Sequence, residues 1–285
     1  MNTQIPDILP LGPAPRPTTD DDLAARLRTA LTTSAGVEPA SADHLRVSAS
    51  VAGADVPTLD VDLTGVTVSP REARAARAAQ PALLAASRER GTVGKLRVEA
   101  HPVTVVGAAA DVVVEAAGVP FEWVESGDGQ LGLAWVEPDA ASPVSGSARI
   151  AVPASSIRAA AERVAAQLAA RNGLTLARLD VRLAPAGDNG VAVTVEAQVK
   201  KSLLSATVEA GMTGVVDDAL GVTLRDVQVS SRNPVVGALL GAVRGRVERF
   251  DGRRFDLVSE LPAGVRLADV RVTVGDEVVL TARAQ

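Results

Sequence analysis

The stretch GVTLRDVQV at residues 221–229 is the most informative part of the sequence, because it recurs as GVRLADVRV at residues 264–272 and more loosely as GLTLARLDV at residues 173–181. Each copy coincides with a predicted strand. A longer correspondence relates VTVS at residues 66–69 to VQVS at residues 227–230, each followed by a predicted helix. These repeats favour a duplicated helix-and-sheet unit, although any valine-rich sheet can repeat such patterns by chance.

Apolar and polar residues also alternate in other parts of the chain, for example in residues 45–51 and 59–63. A period of two is typical of a sheet with one buried and one solvated face. Four amphipathic segments are predicted helices: residues 20–34, 70–90 with a kink or a break into two pieces at Pro81, 155–171, and 234–250. We therefore expect an α+β fold of long curved antiparallel sheets wrapped around amphipathic helices, in a two-repeat tubular arrangement.

Two finer expectations concern the middle of the chain. The third predicted helix places an apolar stripe along one face, formed by Ile157, Ala161, Val164 and Leu168. The sequence predicts a meander of strands over residues 93–152. Glycine or proline residues predict its turns at Gly107 and at residues 118–120, 127–129 and 138–143.

The chain divides into three predicted parts. Residues 1–19 contain five prolines and lack periodic apolar positions, so we expect a flexible tail. Residues 20–152 form the expected N-terminal α+β repeat and residues 153–285 the C-terminal one. The first ten residues lack a basic segment followed by an apolar run, so we expect no signal peptide and a cytoplasmic location.

Composition excludes several kinds of chemistry. The 285 residues carry a formal charge of −5, which argues against a nucleic-acid partner. The chain has no cysteine, and its two histidines have no ligand-spaced neighbours, so we expect no metal and no cofactor. No nucleophile elbow, phosphate loop or paired carboxylates are recognisable, and the catalytic residues, if any, stay unknown.

The C-terminal run ELPAGVRLADVRV at residues 260–272, followed by VVLTA at residues 278–282, resembles the end of the actinobacterial LmeA-like family, also called DUF2993. Residues 221–250 resemble the strand and helix that precede this ending. The resemblance covers residues 155–285 and implies a tubular lipid-binding fold of the bactericidal/permeability-increasing type, with an apolar channel. Many members of that family are exported or membrane-anchored, whereas this chain shows no export signal.

Two groups of residues are candidates for binding a ligand. Phe121, Trp123 and Trp135 lie close together in a chain whose residues are only 2% aromatic, and parity predicts Phe121 and Trp123 on one face of the same strand. They form either a core cluster or a wall or lid at a pocket mouth. The fourth predicted helix has glycines every four residues, which suit close helix–sheet packing or a channel lining. From this helix we select Gly237, Leu240, Gly241 and Arg244. Further arginines, Arg246, Arg249, Arg253 and Arg254, form either a solvated face or an anion site.

Two functions are compatible with these features. The first is binding or carriage of a lipid or another hydrophobic small molecule in an apolar cavity. The second is a cofactor-independent cyclase that folds a polyketide-type intermediate in such a cavity, since orientation alone can accelerate a cyclisation without leaving a motif. Whether the protein is an enzyme, what its ligand is and how it oligomerises are not determined by the sequence.

Overall fold

The computed structural model describes residues 8–80, 83–138, 143–171, 173–201, 204–217, 221–231, 248–256 and 267–284. Its chain divides into two compact units. The first contains Met1–Ile150, Leu261–Ala268 and Ala282–Gln285, and the second contains Ala151–Glu260 and Asp269–Thr281. That the two units are duplicates of each other stays a prediction.

Strands make up most of the described chain. They are β1 (Ile8–Pro13), β2 (Arg46–Ala49), β3 (Val56–Asp62), β4 (Thr67–Val68), β5 (Ala85–Val105), β6 (Ala108–Ser126), β7 (Gln130–Trp135), β8 (Ser145–Pro153), β9 (Thr175–Pro185), β10 (Gly190–Lys201), β11 (Leu204–Val216), β12 (Gly221–Ser231), β13 (Arg254–Asp256), β14 (Leu267–Val274) and β15 (Glu277–Ala284). The helices described are α1 (Asp20–Ser34), α2 (Pro70–Ala79) and α3 (Ala154–Arg171), with short 3₁₀ turns at Pro39–His44 and Glu248–Phe250.

These strands form two sheets. The larger has the order β14-β15-β8-β6-β5-β3-β2, with β4 beside β5, β7 beside β6 and β1 beside β7. The smaller has the order β13-β12-β11-β10-β9 and is antiparallel throughout. The α+β class and the long antiparallel strands are confirmed, but β3 and β4 pair parallel to β5.

The core of the first unit lies between α1 and the hairpin of β5 and β6. Thr19 caps α1, since its hydroxyl accepts a hydrogen bond from the Asp22 amide at 3.3 Å, and acidic residues follow in the first turn. Leu23 and Leu27 are buried on the inner face of α1, in one cluster with Phe121. The predicted helix over residues 20–34 is thus confirmed, and its apolar stripe is what fixes it to the sheet.

The N-terminal segment differs from its prediction. Ile8–Pro13 forms β1, which pairs antiparallel with β7, and Leu11 is buried in the core. The flexible tail predicted for residues 1–19 is therefore wrong for this segment. Proline misled the prediction, because a strand that has a single neighbour tolerates residues without an amide hydrogen.

The second predicted helix is also shorter than expected. It ends at Ala79, and Gln80 is extended, because a residue that precedes proline avoids the helical region. The helix predicted over residues 83–90 is wrong, since Ala85–Val105 is one strand and its first residues pair with the end of β6. Gly91 is consequently part of a strand and not the end of a helix.

Three other expectations are corrected or left open. The turn predicted at residues 118–120 is wrong, because β6 continues through it while paired with β5. The apolar stripe predicted for α3 is partly wrong, because Val164 and Leu168 are exposed. The less exposed side of the helix is formed by Ala154, Ile157, Ala161, Ala165 and Ala169. The predicted fourth helix, residues 234–250, lies outside the described residues except for Glu248–Phe250.

The hairpin of β5 and β6 turns at an unfavourable pair of residues. Val105 pairs with Ala108, which leaves Val106 and Gly107 as a two-residue loop, and their φ angles are +50° and +75°. Positive φ at both central residues defines the type I′ turn, for which Asn-Gly is preferred. A β-branched residue is strained in this region, and Val106 is also 68% exposed, so its side chain recovers little energy by burial.

We therefore expect Val106→Asn to raise the free energy of unfolding by about 1 kcal/mol, since asparagine tolerates positive φ. Urea denaturation of the full chain measures this change. The matched control is Val106→Thr, which stays β-branched and should show no gain. A loss of stability in Val106→Asn would contradict the assignment of strain to this turn.

A second turn, between β3 and β4, depends on one threonine. The hydroxyl and the amide of Thr64 both hydrogen-bond the Asp62 carboxylate, and they hold the pKa of Asp62 below its usual value of 3.8 against the opposing effect of burial. The charges of Arg46 and His101 lower the pKa of Asp62 further. Thr64 Oγ1 also accepts a hydrogen bond from the His101 amide at 3.0 Å, which connects this turn to β5.

Because the pKa of Asp62 is lowered on folding, its stabilising contribution is complete above pH 3.8 and is lost as the pH falls through the folded value. We expect Thr64→Val to raise the pKa of Asp62 and to make acid unfolding less steep. Carboxyl titration by NMR measures the pKa, and Thr64→Ser, which keeps the hydroxyl, should retain the low value. An unchanged pKa in Thr64→Val would show that the hydroxyl is not the main cause.

Candidate functional site

The three aromatic candidates lie in or against the core of the first unit. Phe121 is fully buried and Trp123 is 3% exposed, and their rings meet edge to face with centroids 5.2 Å apart. The prediction that both lie on one face of the strand is confirmed. Trp135 pairs with Phe121 across β6 and β7 and is partly buried against the same cluster. Whether these residues also contact a ligand stays a prediction.

A close backbone approach determines how the aromatic residues are held. Gly91 on β5 lies opposite Phe121, and a Cβ atom there would be 2.7 Å from Phe121 Cζ and closer still to the Ala54 carbonyl oxygen. Only glycine therefore lets the Phe121 ring and the chain at Ala54 come together over β5. The same carbonyl accepts a hydrogen bond from the Trp123 indole at 2.8 Å, so the indole is both buried and satisfied.

The second set of candidates cannot be placed. Gly237, Leu240, Gly241 and Arg244 lie outside the described residues, as does Arg246. Of the remaining arginines, Arg254 pairs with Asp217 at 2.9 Å.

Arg253 has a contact that sequence reasoning missed. Its guanidinium lies 5.5 Å from the Phe250 ring centroid and 5.0 Å from that of Phe255, between two rings that are 41% and 37% exposed. The signal was present in the composition, because two of the three phenylalanines flank this arginine. Cation–π stacking of this kind stabilises an exposed arginine by about 0.5–1 kcal/mol per ring and fixes its direction.

An open groove of about 650 Å³ lies on the solvated face of the larger sheet. Its walls carry charges of both signs, with Asp60, Arg97 and Glu115 in register across β3, β5 and β6. Arg97 donates to Glu99 on its own strand at 2.7 Å. Alternating charges on the wet side of a sheet are the ordinary means of keeping that side solvated, and the groove is not apolar.

One face of the smaller sheet is apolar. Val193, Val195, Ala197 and Val199 lie on one face of β10, while Thr194, Glu196, Gln198 and Lys200 lie on the other. The neighbouring strands continue the pattern: Val195 is in register with Val181 and Ala210, and Ala197 with Leu179 and Val208. This set of residues, which we call the apolar face, carries no charge.

The apolar face is only partly covered. Its β10 residues are half-buried, and Met212, which pairs with Val193, is 41% exposed. Val181 on β9, at 5% exposure, is an exception. In the first unit, by contrast, Val93 and Phe121 are fully buried. The second unit thus keeps aliphatic surface accessible where the first unit has a closed core.

Helix α3 lies beside the edge strand of this sheet. It contacts β9, and the Arg158 guanidinium donates to the Val181 carbonyl oxygen at 3.1 Å. The buried positions of α3, Ala154 and Ala169, are small, so the helix can approach the strand closely. The larger side chains Val164 and Leu168 are 48% and 53% exposed.

The described residues were also compared with the requirements of a metal site and of a membrane-spanning helix. No three histidine, aspartate or glutamate side chains in it are grouped as metal ligands. His101 is exposed, with Nδ1 3.8 Å from an Asp111 carboxylate oxygen. None of the described helices combines the length and apolar character needed to cross a bilayer.

No protein-family model, curated protein or solved structure matches the chain in comparisons. The resemblance to the LmeA-like family therefore stays a prediction, and the geometry of the residues is what bears on function.

The hydrogen bond of Trp123 separates it from Trp135, for which the described chain shows no side-chain hydrogen bond. We expect Trp123→Phe to lower the free energy of unfolding by about 1–2 kcal/mol more than Trp135→Phe, because it leaves the Ala54 carbonyl unsatisfied. Chemical denaturation of both variants measures the difference. Equal losses would show that the indole hydrogen bond contributes nothing to the core.

Proposed function

We propose that this protein binds or carries a lipid or another hydrophobic small molecule, and that the apolar face of the second unit contacts that ligand. The observation that carries the proposal is the partial burial of Val195, Ala197 and their aliphatic neighbours on a sheet face without charge. Aliphatic surface left in contact with water costs about 25 cal/mol per Å², so an accessible face of this extent favours an apolar occupant.

The dimensions of the apolar face suit an acyl chain. Residues 191–199 of β10 extend over about 27 Å at the rise of an antiparallel strand, and β9, β10 and β11 together are about 10 Å wide between outer strands. One leaflet of a bilayer, half of a hydrocarbon core of about 30 Å, is about 15 Å deep. An extended acyl chain can thus lie along one strand with valine and leucine on either side.

Small side chains in the middle of the apolar face leave room for the ligand. Ala197 and Ala210 lie at its centre, where leucine or phenylalanine would occupy more of the space above the sheet. The bound molecule would be recognised by shape and apolar contact, since no hydrogen-bonding side chain interrupts this face. The resemblance to the LmeA-like family predicts the same ligand class in a tubular lipid-binding architecture, and we include that architecture in the proposal.

Filling the apolar face tests the proposal. We expect Ala197→Leu to weaken binding of a fluorescent fatty acid about tenfold or more, because the added side chain occupies ligand space. The matched control is Ala192→Leu, which makes the same change on the same strand but on the opposite face, and which should bind as the wild type does. Circular dichroism of both variants confirms that they fold.

Native mass spectrometry of the protein purified without detergent identifies the ligand class. Acyl lipids released from the wild type and depleted in Ala197→Leu would support carriage. A wild type that neither retains a ligand nor takes up the fatty acid would refute the proposal. A retained polycyclic or polyene compound would instead favour the cyclase alternative.

A further inference from the structure

Helix α2 and the tip of the β5–β6 hairpin share one end of the first unit. Val68 pairs with Val105, the residue before Val106, and α2 begins two residues after Val68 at Pro70. Ser69, which caps α2, donates its backbone amide to the Gly36 carbonyl at 2.8 Å. The start of the helix is thereby fixed beside the hairpin tip.

Helix α2 exposes a basic surface. The helix has three arginines spaced every three residues, and all are exposed: Arg71, Arg74 and Arg77. Glu72 is its one acidic residue, so the net charge of the helix is three minus one, or +2. None of its residues is buried. In a protein whose formal charge is −5, this is a local concentration of positive charge on an otherwise acidic chain.

The hairpin tip adds an exposed apolar residue to this basic surface. Residues 102–110, PVTVVGAAA, carry no charge. Val106 is 68% exposed and strained at φ +50°, at a turn where asparagine would be favoured. An exposed, strained apolar residue beside a basic helix combines the two features with which proteins bind anionic lipid surfaces, insertion of an apolar side chain and attraction of arginine to headgroups.

We propose that Arg71 and Arg74 of α2, together with Val106, form a docking surface for an anionic membrane. An acidic protein would satisfy the arginines but offers no apolar layer beneath its charges, whereas a bilayer supplies both. This proposal goes beyond the ligand-binding function and does not depend on it, because vesicle binding through the first unit is measured without any ligand in the second.

Vesicle co-sedimentation of the full chain tests the docking surface. We expect binding to mixed phosphatidylcholine–phosphatidylglycerol vesicles, weaker binding at raised ionic strength, and little binding to phosphatidylcholine alone. Arg71→Gln with Arg74→Gln should weaken binding about twenty-five-fold, at about fivefold for each arginine. The matched control, Arg178→Gln with Arg182→Gln, removes two exposed charges from β9 of the second unit and should bind as the wild type does.

Val106→Asn separates membrane insertion from folding, since it removes the apolar tip while relieving the turn. We expect it to weaken vesicle binding about tenfold although it is at least as stable as the wild type. Three results would each overturn the proposal. The first is equal vesicle binding by Val106→Asn and the wild type, and the second is an equal loss of binding in the two double arginine variants. The third is release of the protein from vesicles by soluble polyglutamate, with no effect of Val106→Asn. The last result would assign α2 to an acidic protein partner.

Discussion

The antiparallel pairing of β5 with β6 is the constraint on which the first unit depends. These are its longest strands, and one register positions the side chains from Ser87 to Ala100 of β5 against β6, with a shift near each end of the pairing. The register places Gly91 opposite Phe121, and the missing Cβ atom lets the aromatic ring lie across the neighbouring strand. A shift by one residue would turn Phe121 and Trp123 to the solvated face, so the register and the core specify each other.

The same pairing determines what surrounds the core. Helix α1 contributes Leu23 and Leu27 to the same buried cluster, and the Trp123 indole donates to a carbonyl oxygen of the loop at Ala54. Because buried aromatic residues require both close packing and a partner for the indole, this cluster suits stability better than ligand exchange. The mixed charges of the opposite face keep that side of the sheet in water.

The second unit is built by the same alternation but is covered differently. Its β10 residues form a continuous aliphatic row, yet they stay half-buried, and the buried positions of α3 are alanines at the edge strand. Two units with similar patterning therefore reach different degrees of closure. The closed core of the first unit suits structural stability, whereas the open apolar face of the second unit is the surface that our proposed function uses.

Part of the candidate site was predictable from the sequence. Parity along β6 correctly placed Phe121 and Trp123 on one face, because a strand alternates whatever its partners are. The two phenylalanines beside Arg253 are visible in the sequence, but the stacking of its guanidinium between both rings depends on how the chain returns beside β12 after Phe250. The exposure of Val164 and Leu168 was not predictable either, because periodicity predicts an apolar stripe but not which face of the helix packs against the sheet.

Within the fold, an unambiguous local pattern was enough to place α1, α3, β9 and β12, which lie where alternation and helical periodicity predicted them. Long-range pairing was needed to place the elements for which local and long-range preferences conflict. Ile8–Pro13 is rich in proline but becomes a strand because β7 offers it an edge, and Ala85–Arg90 has a helical composition but pairs with β6. Hydrogen bonds to a distant strand outweigh local propensity in both places, and no pattern within the segment reveals that partner.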